Sequence, residues 1–212
     1  MGVWRFCSTF RAFCPRAERP PNNLFTSAKI SPHLAFRGGL CDCRPVKSLE
    51  PPDTFHLSAA TGWLGLGNWQ EALEELEKIT PALRSHPEVL LARFEIHTKA
   101  GKWDMAAETA CALVQIRPKE AQFWISHAYA TRRMTGGGIP KAKEILGKAR
   151  TLFPKEPLIA YNLACYECQL GDVTAARQWL KSALVLGDPK QLKQMALRDP
   201  DLQPIWNVIG EI

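Results

Sequence analysis

Small apolar residues recur along this chain at a nearly fixed interval. Ala72, Ala106, Ala142 and Ala176 stand 34, 36 and 34 residues apart. Leu76, Ala110, Leu146 and Leu180 repeat those spacings four residues further on, and Gly67, Gly101 and Gly171 fall in the same frame. A period near 34 residues predicts a helix–turn–helix unit that stacks on copies of itself into a solenoid. Four units follow, over residues 53–86, 87–120, 121–156 and 157–190. Each is expected to be two antiparallel helices, eight in all. The turns inside the units fall at Gly67-Asn68, Gly101-Lys102, Gly136-Gly137-Gly138 and Gly171-Asp172, where a helix exit often requires positive φ. Pro87, Pro118, Pro154, Pro157 and Pro189 punctuate the unit ends, because proline cannot continue a helix.

The alanines of the ladder are small because two helices are expected to cross closely there, with Trp69 and Trp103 filling the wedges between neighbours. A helix pair cannot bury its apolar face alone, so the stack must be closed. Residues 191–212 are expected to form capping helices, with Leu192, Met195, Leu197, Leu202, Ile205, Trp206 and Ile209 as their core. At the other end, residues 1–50 contain Pro15, Pro20, Pro21, Pro32 and Pro45 and no sustained helical period. They read as a disordered basic tail or as an upstream start. The alternative is an organelle transit peptide, since Val3, Phe6, Cys7, Phe10 and Phe13 share one face of a helix with Arg5 and Arg16 opposite. Pro51-Pro52 marks the boundary, with prolines suited to a helix start.

Charge divides at the same boundary. The chain of 212 residues has a net charge of +6. Residues 1–47 hold eight Lys and Arg against Glu18 and Asp42, whereas residues 48–212 hold 19 basic and 19 acidic residues. The repeat region is therefore neutral, which argues against a nucleic-acid surface. No apolar run approaches the roughly 18 residues that span a bilayer. The expected location is cytoplasmic, with an organelle as the alternative if residues 1–47 are a targeting segment.

Three features invite a chemical reading. The run Gly136-Gly137-Gly138-Ile139-Pro140-Lys141 suggests a phosphate loop, but that loop ends in Gly-Lys-Ser/Thr after a strand. Here Pro140 precedes the lysine and Ala142 follows it, so an inter-helix turn is the better reading. Of the seven cysteines, Cys165 and Cys168 have redox or zinc spacing. They fall inside a predicted helix rather than at its start, and no second ligand pair accompanies them in the repeat region. The five histidines form no catalytic or metal-binding pattern. No cofactor, metal, small-molecule substrate or enzymatic activity is expected.

These residues resemble the tetratricopeptide-repeat family. Gly101, Trp103, Ala106 and Pro118 stand where that family places its turn glycine, aromatic, packing alanine and closing proline. Asn162, Leu163, Ala164, Gly171, Asp172, Ala176, Leu180 and Ala183 match in the fourth unit. The first unit matches in its second helix, through Gly67, Trp69, Ala72, Leu73 and Leu76, while Gly62 and Gly65 weaken its first. The segment Ala196-Leu197-Arg198-Asp199-Pro200-Asp201-Leu202, followed by Pro204-Ile205-Trp206, looks similar to the end of many bacterial members. The resemblance implies an all-α, right-handed solenoid of four repeats whose first helices line a concave groove. It also implies a protein–protein interaction scaffold or adaptor that binds a peptide segment there. A secretion- or assembly-type chaperone is the alternative, and a cysteine-based metal or redox protein a third. The lining positions implied are Leu57, Thr61 and Leu64, then Leu91, Glu95, Thr98 and Lys99. In the third and fourth repeats they are Ile125, Tyr129, Arg132 and Arg133, then Tyr161, Asn162, Cys165 and Gln169. Tyr129 and Tyr161 would be exposed anchors, and Arg132, Arg133 and Lys99 would favour a partner with apolar and acidic residues. Some members grip a carboxyl terminus with Lys, Asn and Arg. Here those positions hold Leu57, Thr61, Ala92, Gln122 and Ser126, so that clamp is absent.

Overall fold

The described residues form helices throughout, with no strand among them. The computed structural model describes residues 48–210. The basic tail of residues 1–47, with its transit-peptide alternative, lies outside them. Four antiparallel helix pairs follow one another: α1 (Asp53–Gly65) with α2 (Trp69–Lys78), α3 (Pro87–Lys99) with α4 (Trp103–Ile116), α5 (Ala121–Thr131) with α6 (Ile139–Leu152), and α7 (Pro157–Leu170) with α8 (Val173–Leu186). The chain ends in α9 (Pro189–Ala196) and a 3-10 segment over Pro200–Val208. This is the predicted all-α helical solenoid.

Local chemistry sets the ends of the helices. Pro87, Pro157 and Pro189 begin helices at the position where a missing N–H costs nothing. The side chains of Asn68 and Asp172 accept hydrogen bonds from the backbone N–H groups of Glu71 and Ala175, and Asp188 accepts from Lys190 and Gln191. Gly171 closes α7 at φ 88°, a conformation that costs other residues about 1 kcal/mol or more. The glycine run is fixed more tightly still. A Cβ on Gly137 would lie 1.9 Å from the Thr131 carbonyl oxygen, so only glycine fits. Asp104 holds the same turn by accepting from the N–H and hydroxyl of Thr135, and the Lys141 ammonium donates to the Gly136 carbonyl.

Packing runs from each pair to the next. Val89 and Ile96 of α3 are buried in one cluster with Ala60, Ala72, Leu76 and Ile79 of the pair before. Phe123 of α5 and Ala130 are buried with Ala106, Ala110 and Leu113. Ile159 and Tyr166 of α7 are buried with Ala142, Leu146 and Ala149. All four ladder alanines are fully buried. The weak first helix expected from Gly62 and Gly65 nevertheless spans 13 residues. Burial of Ala60 and the grip of Asp53 on the N–H and hydroxyl of Thr80 hold it to α2.

At the far end the expected capping helices are one α-helix and a 3-10 segment, since Pro204 lies inside that segment and cannot serve a regular α-helix interior. Leu192, Leu202, Ile205 and Ile209 are buried as expected, but Leu197 and Trp206 are exposed. The Trp206 indole instead donates to the Ala196 carbonyl.

Two outcomes follow from this packing. Ala106→Leu should overfill a closed helix crossing and lower stability by about 1–3 kcal/mol in chemical denaturation. His97 is buried, and that burial, with help from Arg93 and Lys102, pushes its pKa down from 6.5 to about 4. A folded pKa below the unfolded value means that protonation favours unfolding. The His97 contribution is therefore complete above pH 6.5 and is lost as pH falls toward 4. Relative to His97→Gln, the parent should lose on the order of 2 kcal/mol across that window in pH-dependent melts.

Candidate functional site

The residues expected to line the groove divide into two groups. In the first, Leu91, Glu95, Ile125, Tyr129 and Arg133 are half-buried and Lys99 is exposed. The Arg133 guanidinium lies 3.7 Å from the centre of the Tyr129 ring and 5.3 Å from that of Trp103. Tyr129 and Trp103 meet edge to face at 5.9 Å. Arg133 also donates to the Tyr129 carbonyl. A planar cation packed against two aromatic rings keeps a fixed orientation. Burial raises the pKa of Glu95, and nearby Lys99 opposes that rise.

The second group is not open. Tyr161 and Cys165 are buried, and Arg132 is largely covered. The chain's own closing segment occupies their side of α7. Arg132 makes a two-pronged ion pair with Asp201, its Nη2 donating to Oδ1 at 2.9 Å and its Nη1 to Oδ2. The Tyr161 hydroxyl donates to Asp199 Oδ2 at 3.0 Å, the Cys165 thiol points at the same oxygen at 3.5 Å, and Gln169 donates to the Asp201 carbonyl. Asp199 Oδ1 accepts from the Asp201 N–H, which fixes the turn that brings both carboxylates in. Asn162, expected to be free for a ligand, spends its amide on the Leu158 carbonyl.

The expectation that Tyr161 and Arg132 are exposed anchors is therefore overturned. The physical reason lies in Leu202, Ile205 and Ile209, which are fully buried. Their burial pulls the closing segment onto α7, and the aspartates then satisfy the polar groups trapped beneath. Sequence reasoning placed these leucine and isoleucine positions in a cap. It missed the roles of Asp199 and Asp201, which lie 38 and 69 residues from their partners Tyr161 and Arg132. Two acids flanking a proline were the available signal.

Electrostatics agree with closure. Burial, with the nearby Cys165 and Asp199, pushes the Tyr161 phenol up. Burial also pushes the Cys165 thiol well up, and Cys168 up as well, which keeps both as neutral thiols. Burial alone would lower Arg132, but the hydrogen bonds and charge of Asp201 outweigh it and keep the guanidinium protonated. Among the described residues, no group of three or more His, Cys, Asp or Glu is placed to hold a metal. None of their helices is long and apolar enough to cross a membrane.

No protein-family model matches the chain, and neither does the sequence of any curated protein. Solved structures do match. TTC0263, a thermophilic TPR protein of Thermus thermophilus, superposes with a TM-score of 0.55 at 20% identity, over 74% of this chain and 83% of that one. MamA from Desulfovibrio magneticus RS-1, residues 41 to the end, superposes at 0.56 and 18% identity, over 63% and 75%. A MamA RS-1 double mutant gives 0.55 and 18%, over 64% and 75%.

The chain has the tetratricopeptide-repeat fold. The Arg132–Asp201 closure is read from this chain's own side chains. Asp201→Ala should leave a covered guanidinium unpaired and cost about 3 kcal/mol in denaturant unfolding. Replacing both partners, Arg132→Met with Asp201→Leu, should recover most of that loss, because two apolar side chains leave no charge stranded.

Proposed function

We propose that this chain is a protein-interaction scaffold whose groove, along α3 and α5, grips an extended peptide carrying apolar anchors and acidic residues. The observation that carries this reading is the arginine packed against two rings. Arg133 over Tyr129 and Trp103 presents a pre-oriented cation beside half-buried Leu91 and Ile125. Rigid aromatic and arginine side chains lose little freedom on binding and recur as dominant contacts in interfaces. Lys99, exposed on the same helix, α3, as Leu91, adds a second positive charge. The surface over α7 is already filled by the closing segment, so the proposed peptide runs over the second and third helix pairs.

Selection from a random peptide library on the immobilised full chain tests this. Recovered peptides should combine an aromatic or aliphatic residue with nearby Asp or Glu. Tyr129→Ala should weaken a selected peptide about tenfold or more. Arg133→Glu should slow its association and remove the salt sensitivity expected of exposed charges. Peptides without acidic residues, or binding that neither substitution changes, would sink the reading.

A further inference from the structure

The first helix carries a stacking face on which no described element is stacked. Positions of α3, α5 and α7 that touch the preceding pair are buried: Val89 and Ile96, Phe123 and Ala130, Ile159 and Tyr166. Their equivalents in α1, 34 residues before Val89 and Ile96, are Phe55 and Gly62. Among the described residues no helix pair precedes α1. Phe55 is 68% exposed, Leu66, just after α1, 78% and Trp63 38%. Terminal repeats of solenoids normally turn a polar face outward, and an apolar patch of this kind marks an interface. Gly62 supports the same reading. Glycine inside a helix costs about 1 kcal/mol relative to alanine, yet a Cβ there would meet nothing within 4 Å. Nothing among the described residues requires it to be small.

We infer that two copies of this chain pair through their α1 outer faces, antiparallel and related by a twofold axis. Three observations favour a second copy as the occupant. The face has no charge to repel its twin: Asp53, the sole acid or base of α1 apart from His56, is buried against Thr80, and His56 pairs with Glu75. The pattern is self-complementary. In an antiparallel pairing centred between residues 60 and 61, Phe55 meets Leu66 of the twin at each flank and Ala59 meets Gly62 at the centre. Small residues then allow close approach where the helices cross, and large ones fill the margins. Finally, the opposite end of the stack is closed by α9 and the segment Pro200–Val208. Head-to-tail growth is blocked there, and a twofold contact closes at two. The pairing uses neither the groove nor its peptide, so it stands or falls separately from the proposed function.

Sedimentation equilibrium of the full chain over a concentration series tests it. The parent should show a reversible monomer–dimer equilibrium. Phe55→Glu and Leu66→Lys should each raise the dissociation constant by about a hundredfold, because each buries unpaired charge twice per dimer. Both should keep the parent's helicity by circular dichroism, since the sites are exposed in the single chain. Mixing the two variants should restore a heterodimer, as Glu at 55 would then face Lys at 66 across one flank while Leu66 and Phe55 meet across the other. A parent that stays monomeric, variants that dimerise like the parent, or a mixture that regains nothing would each overturn the inference.

Discussion

A single helix pair has too little apolar surface to be stable in water, and every other feature of this protein follows from that constraint. Each pair must lie on the next, so each first helix needs an apolar side toward its predecessor and each crossing needs room. Ala60, Phe94, Ala128 and Ala164 hold equivalent buried positions in the four first helices. The ladder of Ala72, Ala106, Ala142 and Ala176 does the same for the second helices. A chain built this way has two ends, and the ends are where its individual character lies.

Among the described residues, further elements close the carboxyl end and none precedes α1 at the other. At the carboxyl end, α9 and the closing segment cover α8 and α7 with Leu192, Leu202, Ile205 and Ile209. Covering α7 also trapped Tyr161, Cys165 and Arg132, polar groups that elsewhere in the stack would face the groove. Asp199 and Asp201 answer each of them with a hydrogen bond or ion pair. The groove proposed for a peptide is thereby shortened, and Arg133 with Tyr129 and Trp103 becomes its distinctive feature.

The repeat architecture was legible because its signal is periodic and local. Alanines at 34-residue spacing and glycines at the turns report backbone needs that the same residue types meet in every unit. The glycine run was legible as a turn, although the reason for it, the 1.9 Å approach at Gly137, was not. The site was legible only in part. Lining positions could be counted along each first helix, but their occupancy depends on a segment dozens of residues away that follows no repeat. Asp201 reaches Arg132 because Leu202 and Ile205 are buried beside it, and no pattern in α5 announces that contact. Tyr161 stands at the repeat position of Ile125, and it is buried where Ile125 is half-buried because the closing segment bonds over it.

The Arg132–Asp201 pair has a bearing on cooperativity. In a simple solenoid each unit senses only its immediate neighbours, and stability is close to a sum of unit and interface terms. Here the last segment of the chain is bonded to the end of α5, across the α7–α8 pair between them. That tie couples α5 through Val208 into a unit that opens together rather than stepwise. Amide protons there are expected to share a common, slow exchange, while α1 and α2, which among the described elements pack mainly on α3 and on each other, are expected to open first. On that account the single chain unzips in one direction, from its amino-terminal pair toward a locked carboxyl-terminal half.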